Sequence, residues 1–457
     1  MTVAHGHLKK AHRLAITYTK TTLINLASLP SSIRNSPAWF RLLNTAWKAT
    51  WPVGGRIRLD KDELIRRARK TTGLTNLGAD FNDEPLDRLL RSIEGEAGLH
   101  AAGRFITRER LVGLLAIRLR ANHYFRKYPA ILDQPLYPVW IIIGLQRTGT
   151  TKLQRLLAMD PDHRVIPSWE VINPVPLSPA LYDLSSPLRA GAQSYPHPRD
   201  RRIAIARTSV NAVRFISPGF FAVHPIDVMQ PEEDILLLDV SFMSTTPEAT
   251  MHVPSYAAWL EQTDQGEAYA YAAKLLRLLQ WVSPARRWVL KSPHHLEFPD
   301  LISRHFGDVR FIWPHREPAE SVPSFLSMVT YNRLIFSDKV EVAQVSGHWV
   351  RKVGYMLGRA LEYRRQGQND LKFTDIHYRK LVADSIAELE KVYRMNGGLT
   401  EELTTLFKQH EAENPHRKHG THVYSLEDFG LTAADIERNT GEYRQFFREH
   451  YGKTENP

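Results

Sequence analysis

The chain has 457 residues, 43% hydrophobic and 24% charged, with a formal net charge of +11 and no cysteine. This globular composition excludes a disulfide framework, a thiolate zinc site and a cysteine nucleophile. The positive balance favours anionic ligands, yet lysines and arginines run along the whole chain and form no single nucleic-acid-binding arm. No stretch approaches the roughly 18 apolar residues of a membrane span, and the N-terminus lacks the apolar core of a signal peptide, so a cytoplasmic protein is expected.

At the N-terminus, His5, His7, Lys9, Lys10, His12 and Arg13 lead into Leu14–Leu29, where apolar and polar positions alternate. One reading is a basic amphipathic helix that brings residues 1–30 onto a membrane surface. The other, favoured by base rates, is a helix packed on the protein or a partly ordered terminus. Residues 1–135 read as a helical extension on the core: Pro85–Glu96 and Arg108–Arg126 carry leucines at three- and four-residue spacing. From Tyr137 the pattern changes. Val139–Ile143 is a short β-branched run ending at a glycine, followed by the helical spacing of Leu153, Leu156 and Leu157. Further strand signals at Trp288–Leu290, Val309–Trp313 and Leu371–Ile376 are separated by helical stretches. Such alternation predicts an α/β domain over 136–457, a mostly parallel central sheet flanked by helices. The proline-rich stretch 174–230 opens a helical and loop insertion, near 174–285, that reads as a substrate-shaping lid.

Gly144-Leu-Gln146-Arg147-Thr148-Gly149-Thr150-Thr151 places glycines five apart between strand and helix. A glycine there lets the backbone approach a phosphate, and the helix start offers free N–H groups and a positive dipole end. An ATP-binding P-loop has lysine after the second glycine. Here that residue is Thr150 and the cation is Arg147, upstream in the loop, which suits a shorter anion. A second anion site follows Val309–Trp313, where the strand delivers Arg316 and a helix then presents Ser321 and Ser324. A guanidinium grips phosphate oxygens in bidentate fashion and a serine hydroxyl completes the clamp.

Together these two sites resemble the sulfotransferases that use 3′-phosphoadenylyl sulfate (PAPS). In that family a P-loop-like turn holds the 5′-phosphosulfate, matched here by Gln146, Arg147, Thr148, Gly149, Thr150 and Thr151. An Arg…Ser pair holds the 3′-phosphate, matched by Arg316 and Ser324. The stretches Trp288–His295 and Lys418–Leu426, with Phe429-Gly430-Leu431 after the second, are similar to the broad bacterial branch, as is Gln230–Asp234. The resemblance implies a P-loop nucleotide-kinase-like sulfotransferase fold, PAPS as co-substrate, and no metal. It also implies a loop over the nucleotide, with Lys418, His422 and Tyr424 on the donor. Many cytosolic members carry lysine where this loop has Arg147. Arginine there occurs in other branches, including one acting on tyrosyl residues, which leaves the acceptor open among small-molecule, lipid and carbohydrate hydroxyls.

Sulfuryl transfer needs a cation at the leaving oxygen, positive charge near the equatorial oxygens and a base for the attacking hydroxyl. Arg147 and the loop N–H groups fit the first role and Lys291, at a strand end, the second. Glu170, in Pro167-Ser-Trp-Glu170, is expected at the end of the strand after the cradle helix and is the leading base. A structural ion pair is the alternative for it. His294 and His295 are rivals. The acidic run Glu232-Glu233-Asp234 reads first as a solvated helix start. His416, His419 and His422 are three apart but lie in a proline- and glycine-containing stretch, so they read as loop. Two other function classes remain: a P-loop kinase-like phosphotransferase, and a non-enzymatic nucleotide- or membrane-binding protein. A homo-oligomer is compatible with the sequence.

Overall fold

The computed structural model describes residues 37–53, 55–182, 184–187, 195–414 and 424–451. Residues 1–30, Lys418, His422 and the histidine triplet His416, His419 and His422 therefore lie outside the described residues.

The extension is helical as its leucine spacing predicts: α1 (Ala38–Lys48), α2 (Lys61–Thr72), α3 (Glu84–Glu96) and α4 (Ala101–Lys127). Local chemistry sets the ends. Asp60 accepts the Glu63 N–H at 2.9 Å to cap α2, and Gly73 closes it in the left-handed region at φ 69°. His100 Nδ1 accepts the Gly103 N–H at 2.8 Å at the start of α4.

The sheet begins at β1 (Val139–Ile142), followed by α5 (Thr150–Leu157), β2 (His163–Arg164) and the short helix α6 (Ser168–Ile172). The insertion contributes α7 (Arg201–Ile216) and α8 (Gly266–Val282). The remaining core elements are β3 (Arg287–Lys291), β4 (Val309–His315), α9 (Pro318–Leu334), α10 (Val342–Arg364), β5 (Phe373–His377) and α11 (Tyr378–Ala383), then α12 (Ala433–Tyr451). All five strands are parallel, in the order β2-β3-β1-β4-β5. Two expectations shift. The strand expected to reach Glu170 stops at Arg164: beyond it the chain turns to the segment before Lys291's partners, the Ile166 carbonyl accepting the Glu232 N–H at 2.9 Å and the Ser168 N–H donating to the Gln230 carbonyl at 3.0 Å, and Pro167 then precedes α6, which carries Glu170. The last strand starts at Phe373, two residues later than its apolar run, after a 3-10 turn over Asn369–Lys372 that leaves Leu371 exposed.

Strand alternation divides two cores. Val139, Ile141, Trp288, Leu290, Phe311 and Trp313 face one side, in a continuous cluster with Leu64, Leu86 and Leu115 of the extension. Trp140, Ile142, Val289 and Ile312 face the other side with Leu153, Ile376 and Phe407. Full burial of each large apolar side chain is worth about 1.5–3 kcal/mol, so the extension and the sheet stabilise each other. Among the described residues no helix is long and apolar enough to cross a membrane.

In the register of the sheet, Ile142 pairs with both Lys291 and Ile312. The carboxyl ends of β1, β3 and β4 therefore open on one edge. β1 is central, with the chain going to β2 and β3 on one side and to β4 and β5 on the other. A crevice at such a reversal is where open α/β sheets hold ligands.

Candidate active site

The loop between β1 and α5 is shaped by close approach. A Cβ on Gly144 would sit 3.1 Å from the Pro314 carbonyl, and one on Gly149 would sit 3.0 Å from the Tyr378 ring. Gly149 has φ 88° and caps α5, and Arg147 has φ 69°. A non-glycine residue in the left-handed region costs about 1–2 kcal/mol, so the rest of the loop must hold Arg147 there. Thr148 helps: it is buried and its hydroxyl donates to the Leu145 carbonyl at 2.7 Å. That hydrogen is committed, so what Thr148 offers a ligand is backbone. The first N–H groups of α5 have no intrahelical acceptor and face the loop. Thr151 is exposed, Thr150 buried and Gln146 half-buried.

Arg316 reaches this loop from 169 residues away. Its Nη1 donates to the Arg147 carbonyl at 2.9 Å, its Nε to Glu320 at 2.9 Å, and its guanidinium lies 4.5 Å over the Tyr378 ring. The two anion sites read from the sequence are thus one neighbourhood. Desolvation lowers the Arg147 pKa below the ordinary arginine value, and the nearby Arg316 charge adds to that, partly offset by Tyr378 and Tyr424. Tyr424 is within hydrogen-bond reach of Ser327 and Tyr331, and burial raises it to about 12. Ser324 stands half-buried on α9, its carbonyl accepting the Ser327 hydroxyl at 2.8 Å.

Lys291 is buried at the end of β3, its Nζ 2.9 Å from Glu233 Oε1. Asp234 accepts the Lys291 N–H at 2.9 Å through Oδ1 and lies 2.7 Å from His295 Nε2 through Oδ2. Burial by itself would raise the Asp234 pKa, but the His295 charge and these hydrogen bonds reverse it and hold the carboxyl below its usual range. His295 Nδ1 meets the Tyr269 hydroxyl at 2.9 Å, so both its ring nitrogens are engaged. His294 differs. Its Nδ1 is 3.3 Å from Thr245 Oγ1, its buried Nε2 has no partner, and burial pushes its pKa well down, which keeps the ring neutral. Glu170 is fully buried, with Oε2 2.5 Å from Arg164 Nη2 and Oε1 unpartnered.

The acidic run is not the solvated helix start that its sequence suggests. Glu233 and Asp234 turn inward and fix Lys291 and His295. Nothing local signals this, because the partners lie 57 to 61 residues away. Tyr378 also went unread, although a residue just past a strand end at the ligand-binding edge is a usable signal. Behind the histidines a charged cluster is buried: Lys352 Nζ lies 2.8 Å from Glu297, 3.1 Å from Glu261 and 3.9 Å from Glu248. Burial raises Glu297 to about 7. Among the described residues no group of three or more His, Cys, Asp and Glu could hold a metal ion.

The chain matches the family model described as the sulfotransferase family over residues 138–400. It is similar to the crystal structure of sulfotransferase STF1 from Mycobacterium tuberculosis H37Rv, with TM-score 0.71, 28% identity, and coverage of 84% of this chain and 99% of that one. It is similar in fold to sulfotransferase STF9 from Mycobacterium avium, with TM-score 0.74, 22% identity, and coverage of 86% and 97%. A comparison with curated proteins finds no match.

Proposed function

The chain belongs to the sulfotransferase family and is a sulfotransferase, and we propose that its donor is PAPS and its acceptor a hydroxyl on a small molecule, lipid or carbohydrate. The observation that carries the donor assignment is the Arg316 hydrogen bond to the Arg147 carbonyl, which ties a 5′-anion cradle to a second cation. A nucleotide with phosphates at both 3′ and 5′ positions uses both; ATP uses one. Gln146, Arg147, Gly149, Thr150 and Thr151 would take the 5′-phosphosulfate, with the backbone of Thr148. Arg316 and Ser324 would take the 3′-phosphate. Tyr424, with Lys418 and His422 outside the described residues, would line the nucleotide.

In the transfer, the acceptor oxygen forms a bond to sulfur as the bond from sulfur to the 5′-phosphate oxygen breaks. The electron pair stays on that oxygen, giving adenosine 3′,5′-bisphosphate, and the acceptor proton passes to a base. Arg147 and the α5 N–H groups stabilise the leaving oxygen, and Lys291 the equatorial oxygens. For the base we favour Glu170, supported by its open Oε1 and by the Arg164 pairing that orients it. His294, whose Nε2 is also open, is the second reading. His295, engaged at both nitrogens, positions Asp234.

The extension over 1–135 and the insertion near 174–285 would shape the acceptor side, and the protein would work in the cytoplasm. The test is transfer of labelled sulfuryl from PAPS across a library of hydroxyl acceptors. Labelling of at least one acceptor class, lost in Arg147→Ala, is the expected result. Label transfer from ATP–Mg²⁺ instead would make the kinase-like reading correct.

A further inference from the structure

Three contacts fix the Arg316 guanidinium. Its Nε donates to Glu320 Oε2 at 2.9 Å, its Nη1 donates to the Arg147 carbonyl at 2.9 Å, and its face lies 4.5 Å from the Tyr378 ring. One edge, one end and one face are thereby held, which leaves the Nη2 side for a ligand. Glu320 accepts a second guanidinium through its other oxygen: Arg379 Nη2 donates to Oε1 at 2.7 Å. Arg316, Glu320, Tyr378 and Arg379 line one cavity, together with His377 and Phe447.

An acid in the first turn of α9 suits the helix dipole, and an ion pair with an exposed arginine ordinarily stabilises little. Neither explains where the second arginine comes from. Arg379 stands 59 residues beyond Glu320, at the start of α11 and next to the tyrosine that stacks on Arg316. The same short helix meets the cradle: a Cβ on Gly149 would sit 3.0 Å from the Tyr378 ring, and Lys152 of α5 donates to the Leu381 carbonyl at 3.0 Å. α11 thus touches both halves of the donor site. Burial by itself would raise the Glu320 pKa, but its hydrogen bonds to the two arginines and their charges reverse this and hold the carboxyl below its usual range. An ionised carboxylate beside Arg316 repels an arriving phosphate. Two guanidiniums against one carboxylate leave a net positive charge there, whereas Arg316 and Glu320 without Arg379 cancel.

We propose that Arg379 is a positioning residue of the donor site: tied to Glu320, it offsets the carboxylate that orients Arg316, and so sets the preference for a nucleotide carrying a 3′-phosphate. The proposal rests on the PAPS reading above, which gives the 3′-phosphate to Arg316. Arg379 is needed only because Glu320 is charged. A glutamine at position 320 keeps an oxygen for Arg316 Nε and removes the charge, so the counter-cation then becomes dispensable.

The test is isothermal titration of adenosine 3′,5′-bisphosphate and of adenosine 5′-monophosphate into the full chain, as wild type, Arg379→Gln and the double variant Arg379→Gln/Glu320→Gln. The quantity read is the ratio of the two affinities. Arg379→Gln is expected to lower the preference for the bisphosphate at least about threefold at low salt, an effect that shrinks as salt rises. The double variant is expected to return to within about twofold of wild type, since its local charge is again that of a single arginine. Loss of an ion pair that merely stabilises the fold would not be reversed by removing its second partner. An Arg379→Gln preference equal to wild type overturns the proposal. So does a double variant as low as Arg379→Gln, because Arg379 would then act on the nucleotide directly. Wild type that binds the two nucleotides alike removes the PAPS reading and the proposal together, whereas a wild-type preference that survives in Arg379→Gln removes the proposal alone.

Discussion

Replacing Lys352 with methionine tests how the histidine-bearing segment is held. The ammonium is buried between Glu297, Glu261 and Glu248, and Glu297 closes the 3-10 turn Pro293–Glu297 that carries His294 and His295. Methionine keeps the packing of the lysine stem and removes the charge. Breaking a buried ion pair from one side costs about 3–5 kcal/mol, because the partner charge is left uncompensated. With an unfolding entropy of about 2.1 cal/mol/K per residue, a chain of 457 residues loses about 1 °C of melting temperature per kcal/mol. Lys352→Met should therefore melt about 3–5 °C lower at pH 8.

The pH dependence of that gap has a definite sign. Burial works against the Lys352 charge, but the three carboxylates overcome it and hold its pKa above the usual lysine value. Its contribution is present below the unfolded lysine pKa and is lost only as pH rises through the folded value, so it is constant between pH 5 and 8. Burial already raises Glu297 to about 7, and losing the cation raises it further. A group with a raised folded pKa loses stability as pH rises, so the variant weakens from pH 5 to pH 8 and its gap from wild type widens. Differential scanning calorimetry across that range is the assay. A gap below about 1 °C at pH 8, or one that narrows as pH rises, refutes the reasoning.

Glu170→Gln should retain bisphosphate affinity and lose most transfer, read by calorimetry and labelled PAPS; near-normal turnover moves the base to His294. Gly149→Ala forces a side chain into the left-handed region 3.0 Å from Tyr378, and should weaken donor binding at least about tenfold while the sheet stays folded, by circular dichroism. Asp375 receives Arg364 at 2.7 and 2.8 Å and lies 2.7 Å from His315. Burial opposes its charge, but these partners hold its pKa well below the usual carboxylate range. Asp375→Asn should therefore cost about 3–5 kcal/mol at neutral pH. That stability is present above the unfolded aspartate pKa and is lost as pH falls through the folded value, so the gap from wild type closes in acid. A loss that is independent of acidification contradicts this ion-pair account.

The parts that were legible in the sequence share a physical cause. β1, β3 and β4 announce themselves because both faces of the sheet are buried, so each strand is a short continuous apolar run. The cradle shows through its glycines, and Arg316 through its position at a strand end. Glu170 was expected at a strand end but sits on α6: after Arg164 the chain pairs with Gln230–Glu232 instead of continuing the sheet, and the ion pair of Glu170 with Arg164 follows no helix or strand period. Glu233 and Asp234 were read as solvated because their local neighbours are proline and acid, and only the fold brings Lys291 and His295 to them.

We propose that Arg316 converts a one-anion loop into a two-phosphate donor site. Isothermal titration of adenosine 3′,5′-bisphosphate and of adenosine 5′-monophosphate into wild type and Arg316→Ala tests it most directly. Charge-assisted hydrogen bonds of this kind are worth about 1.5–3 kcal/mol, or about 10–150-fold in affinity. Wild type should prefer the bisphosphate by that factor, and Arg316→Ala should bind the two nucleotides nearly alike. Equal affinity of wild type for both, or a preference for the bisphosphate that survives in Arg316→Ala, would contradict it.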